Sequence, residues 1–102
     1  MQSVRVPAIT GIETAIRLFY EKNELFNKDI RELFGAKLAN GTIVKLKEAA
    51  RDVMNNRDIP NWNPQAVNTT AAYEAWGLDI AVLERNYSKL KKLGLMEEKE
   101  GA

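Results

Sequence analysis

The chain has 102 residues, 45% of them hydrophobic and 28% charged, with a formal net charge of +1. That suffices for one core and not for two domains, and no apolar run approaches the roughly 20 residues that a membrane span needs. Cysteine and histidine are both missing, which excludes disulfides, thiolate zinc sites, cysteine nucleophiles and imidazole proton transfer.

The opening MQSVRVPAIT lacks the long apolar stretch of a secretory leader, so a cytoplasmic location and no membrane partner are expected. Paired acids such as Asp29 with Glu32, or Glu97 with Glu98, read as solvated surface charge. Nothing in this inventory argues for an enzyme, and no cofactor or metal is expected.

Residues 1–9 read as an extended arm, because Val4-Arg5-Val6 alternates and Pro7 stops a helix from running through. Thr10-Gly11-Ile12-Glu13 matches a capping box. A first helix is therefore expected from Gly11 to Lys22, with Ile12, Ala15, Ile16, Phe19 and Tyr20 on one face. Asn27 is the expected cap of a short second helix that buries Ile30, Leu33 and Phe34 and stops at Gly35.

Asn40 is the expected cap of a third helix, running from Gly41 to about Asn55 with Ile43, Leu46, Ala50 and Val53 inward. Residues 56–68, NRDIPNWNPQAVN, hold two prolines and four asparagines and read as a loop or a minimal wing. The tip of that wing would be Asn61-Trp62-Asn63, and Val4-Arg5-Val6 could supply a further strand. Trp62 is expected to cover an end of the core, and Trp76 to pack within it.

Asn68 is positioned to cap a short helix from Thr69 to Trp76 that Gly77 ends. Asp79 is positioned to cap a last helix from Ile80 to Leu93, closed by Gly94. In that helix Ile80, Leu83, Tyr87 and Leu90 form a stripe too short for a true coiled coil. The stripe serves either the chain's own core or a homodimer. The fold expected is all-α with room for a minimal β wing. It comprises a three-helix core over residues 10–55, the loop at 56–68, two C-terminal helices over 69–94 and a tail at 95–102.

Charge is segregated. Between Lys28 and Arg57 seven bases face four acids, while Arg85 to Lys92 holds four bases and no acid. Segregation of this kind creates local fields that the near-neutral total conceals.

The run NKDIRELFGAKLANGTIVKLK, residues 27–47, resembles the helix-turn-helix of small bacterial transcription regulators, winged-helix variants and excisionase-like proteins. The resemblance rests on Asp29-Ile30, Leu33-Phe34-Gly35, Thr42-Ile43 and Leu46, at the level of fold. Gly35 and Thr42 stand seven residues apart, a longer connection than the common pattern has, as in many winged-helix variants. The resemblance implies a DNA-binding protein, in transcription regulation or mobile-element recombination, that reads the major groove of duplex DNA with its third helix.

Asn40, Thr42, Val44 and Lys45 would then approach bases, and Lys37, Lys47 and Arg51 would meet phosphates. Arg85, Lys89 and Lys92, at i, i+4, i+7, form a second basic stripe that would run along the DNA backbone and contact its phosphates. Glu48 and Asp52 lie further along the outward face of the third helix and would repel phosphates. An entry by the amino end is therefore expected. The alternative function is a protein-interaction or dimerisation module that does not bind nucleic acid.

Overall fold

A computed structural model describes residues 6–94. Within them the order is α1 (Ile12–Glu21), β1 (Glu24–Leu25), α2 (Asn27–Phe34), α3 (Asn40–Asn56), β2 (Val67–Asn68), α4 (Thr69–Ala75) and α5 (Ile80–Lys92). The fold is all-α with one small antiparallel pair of strands. The acidic tail, including Glu97 and Glu98, and most of the amino-terminal arm lie outside the described residues.

Thr10 does not cap α1. Its hydroxyl donates to the Glu32 carbonyl at 2.8 Å and its N–H to the Leu33 carbonyl at 2.7 Å, while Gly11 precedes α1 with no side-chain cap. The physical reason is competition. The last carbonyls of α2 have no partner within their helix, and Thr10 lies close enough to serve them. On α1 the fully buried residues are Ala15 and Leu18, whereas Tyr20, expected inward, is 62% exposed.

Asn27 is the first residue of α2 rather than its cap. The Asp29 carboxylate does the capping, accepting from the Phe26 N–H at 2.9 Å. Asp29 is 3% exposed, with Lys22 Nζ at 4.0 Å, so it is no solvated surface acid. Glu32 pairs across to Arg17 on α1. Asp29→Ala orphans the Phe26 N–H and is expected to lower the unfolding free energy by about 1 kcal/mol, read as a shift in urea midpoint at unchanged slope. A midpoint equal to the parent's would show that this contact stabilises nothing.

After α2 the chain turns at Gly35, where φ is +134°, a conformation that L side chains rarely adopt. In α3 the buried face is Ile43, Leu46, Ala49, Ala50 and Met54, and Val53 stays half-buried. The small residues Ala71 and Ala72 are buried on α4, and α4 is the principal neighbour of α3. Trp76 closes that contact. It is 3% exposed, its Nε1–H donates to the Leu46 carbonyl at 2.8 Å, and its ring meets Phe34 edge-on at 5.4 Å.

The two strands pair Glu24 with Asn68 and Leu25 with Val67. Leu25 and Val67 are both fully buried, so each two-residue strand is held by its core side chain more than by its ladder. The partner of the strand after the asparagine-rich segment is thus β1, between α1 and α2. No hairpin forms inside residues 57–66, and Val6 is not in a strand.

Trp62 does not cover the core but is 82% exposed. The carbonyls of Pro64 and Gln65, just after it, are held by Arg51 and Lys47. Asn68 and Asp79 cap α4 and α5 as expected, accepting from Ala71 N–H at 2.9 Å and from Ala81 N–H at 3.0 Å. α5 lies mainly on α1 and has no fully buried residue. Leu83 packs against the core, and the Tyr20 hydroxyl bonds to the Glu84 carboxylate at 2.5 Å.

Candidate nucleic-acid interface

The amino end of α3 stands out of the molecule. Asn40, Gly41, Val44 and Lys45 are exposed, Thr42 is half-buried, and Lys37 is exposed in the preceding turn. Asn40, expected as the cap, is instead the first residue of α3, behind Ala39. Its amide oxygen accepts from an Arg31 Nη2–H, and Arg31 Nε–H donates to the Leu38 carbonyl at 3.3 Å. One guanidinium on α2 therefore holds the connecting turn and the first residue of α3 in a set relation, with the nitrogen of the Asn40 amide left out of that bond.

Val44 is 53% exposed. The first turn of α3 carries no acid. Among the described residues neither Lys37 nor Lys45 takes part in an ion pair.

Lys47 and Arg51 are placed differently. Lys47 Nζ donates to Asn27 Oδ1 and to the Gln65 carbonyl, both at 2.8 Å. Arg51 donates to the Pro64 carbonyl at 2.6 Å. The two cations clamp the segment before β2 onto α3 and onto the start of α2. Partial burial, and secondarily the charge of Arg51, lowers the Lys47 pKa from its ordinary value.

Arg85, Lys89 and Lys92 are exposed on α5. That helix rests on α1, whereas the main neighbours of α3 are α4 and β2. The two basic segments are thus carried by different parts of the fold. Glu48 and Asp52 are exposed on the later turns of α3, as the helical spacing required.

Like Tyr20, Trp62 is a surface residue that sequence reasoning placed inward. With Phe26, Ile59 and Pro60 it lines a cavity of about 560 Å³ beside β1 and β2. Its flanking asparagines and proline were the available signal, since turn-forming neighbours favour an exposed position. Among the described residues no group of acids is arranged to hold a metal ion, and no helix is long and apolar enough to cross a membrane. Comparison with protein-family models, with curated proteins and with solved structures returned no match.

Proposed function

We propose that this chain binds duplex DNA and enters the major groove with the amino end of α3, as a transcription regulator or an accessory factor of a mobile element. The observation that carries this reading is the exposed first turn and a half of α3, with Asn40, Gly41, Val44 and Lys45 outward and Lys37 beside them. A helix amino end carries partial positive charge, and this one adds two lysines.

Gly41 lets the helix come close to base edges. An asparagine amide matches adenine, and a valine methyl can meet the thymine methyl. Lys37 and Lys45 take phosphates. Entry end-on keeps Glu48 and Asp52 away from the backbone, where Coulomb repulsion would oppose them. In this reading Lys47 and Arg51 act mainly by holding the 64–65 backbone against α3.

The test is binding to a random duplex library. The parent should bind with an affinity that falls steeply between about 50 and 200 mM salt. Lys45→Glu should weaken binding about tenfold or more while the melting temperature stays put, because the side chain is exposed. Lys37→Ala should weaken all sequences alike and reduce the salt slope by about one ion. Equal binding by parent and Lys45→Glu removes α3 as the reader. Failure of the parent to bind any duplex favours the alternative, an interaction module, for which the exposed acids on the second half of α3 speak.

A further inference from the structure

We propose that the outer face of α3, with the groove it forms against α4, receives α5 of a second copy of this chain, head to tail. On α3 the exposed residues Glu48, Asp52 and Asn55 stand at i, i+4, i+7. On α5 the exposed residues Arg85, Lys89 and Lys92 stand at the same spacing. With a rise of about 1.5 Å per residue, two such rows laid side by side come into register along their length.

The apolar parts match as well. Beside Asp52 lies a cavity of about 600 Å³, floored by Ala49, Val53 and Ala75 and rimmed by Asn56 and Glu74. Beside the basic row of α5, Val82 is 39% and Leu93 64% exposed, and both fall within about 40° of Lys89 around the helix. The opposite side of α5 is the one that rests on α1, where Leu83 reaches the core.

Charge complementarity chooses the occupant. Glu74 is held by Arg57 at 2.8 Å, but among the described residues neither Glu48 nor Asp52 has an ion pair. The cations that fit them sit on the same chain, so every second copy brings them. Pairing α5 with α5 would instead set Arg85, Lys89 and Lys92 of one copy against the same three of the other, and like charges in contact suppress association. The net charge of only +1 leaves no general repulsion between copies.

Two different surfaces meet in such a contact, so it is heterologous and can propagate. It also covers the acids on the later turns of α3. The inference does not rest on DNA binding, and its test contains no DNA.

The test is sedimentation velocity of the full chain over a concentration series at low and at high salt. The parent is expected to form species larger than a monomer, with an apparent Kd that weakens with salt. Asp52→Lys and Lys89→Glu should each weaken association about tenfold, and one chain carrying both changes should regain it, because the pair is restored with its charges exchanged. Glu48→Lys serves as a second probe of the α3 face should Asp52→Lys disturb folding, which circular dichroism reports. A parent that stays monomeric at its highest soluble concentration overturns the proposal. So does association that ignores changes at Asp52 and Glu48, which would assign α5 to another surface, and so does a double variant no better than either single one.

Discussion

Trp76→Ala lowers the unfolding free energy by about 3–5 kcal/mol, a large fraction of the roughly 5–15 kcal/mol that a small domain possesses. The indole is 3% exposed and fills the junction of α4, α3 and α2, edge-on to Phe34 at 5.4 Å. Its removal leaves a cavity, and it also takes the donor from the Leu46 carbonyl that Nε1 reaches at 2.8 Å. Urea denaturation followed by circular dichroism measures the loss as an earlier midpoint at unchanged slope.

Trp76→Phe keeps most of the ring and drops only the N–H, so it should cost about 1–3 kcal/mol. Trp62→Phe is the control. That indole is 82% exposed, and its replacement should change stability by less than about 0.5 kcal/mol. The emission that remains should be that of a buried indole. Equal losses at the two tryptophans would contradict their placement.

Tyr73→Phe carries the second large effect, because it changes both the size of the stability and its dependence on pH. Tyr73 is 1% exposed, and its hydroxyl donates to the Ala15 carbonyl at 2.6 Å, joining α4 to α1. Loss of that bond should cost about 1–2 kcal/mol near neutral pH. Burial pushes the Tyr73 pKa well above its ordinary value of 10.0, and the charge of Arg17 opposes the shift only in part. The folded state therefore keeps its proton in a range where the unfolded chain releases it.

The stabilisation from Tyr73 is complete below pH 10 or so and is lost as pH rises beyond it, at about 1.4 kcal/mol per pH unit. The variant lacks that proton, so its alkaline arm should be shallower and the two stability curves should converge above pH 10. Tyr20, whose pKa is raised first by its hydrogen bond to Glu84, is present in both proteins and cancels in the difference. Curves that stay parallel from pH 8 to pH 11 would show that the Tyr73 hydroxyl does not titrate differently on unfolding.

Asn68 and Asp79 were legible as caps because a cap is satisfied within its own turn. The acceptor and the N–H it serves are two or three residues apart. Thr10 and Asn40 looked equally suited and were not caps, because each found a partner at long range. Thr10 binds the Glu32 carbonyl and Asn40 binds Arg31. The two tryptophans could not be told apart by composition or spacing. Trp76 sits at the end of α4 against α3 and Phe34, where its ring is covered and its N–H meets the Leu46 carbonyl, while Trp62 lies outside that contact and stays exposed.

The candidate site divides along the same line. Exposure of Val44, Lys45, Glu48 and Asp52 followed from the helical period once Ile43 and Leu46 were placed inward. Nothing local showed that Lys47 and Arg51 bond to the backbone of residues 64–65.

By itself the sequence determined the five helices, the turns between them and the face that α3 turns outward, since these depend on residues within about four positions of one another. Only the tertiary structure decided that Lys47 and Arg51 clamp the chain before β2, that Asp29 is buried, that β1 and β2 pair, and that the basic row of α5 sits on a helix packed against α1. Each of those outcomes is a choice of partner between residues remote in the chain or on separate elements. Packing makes that choice by bringing together groups whose local sequence carries no mark of the encounter.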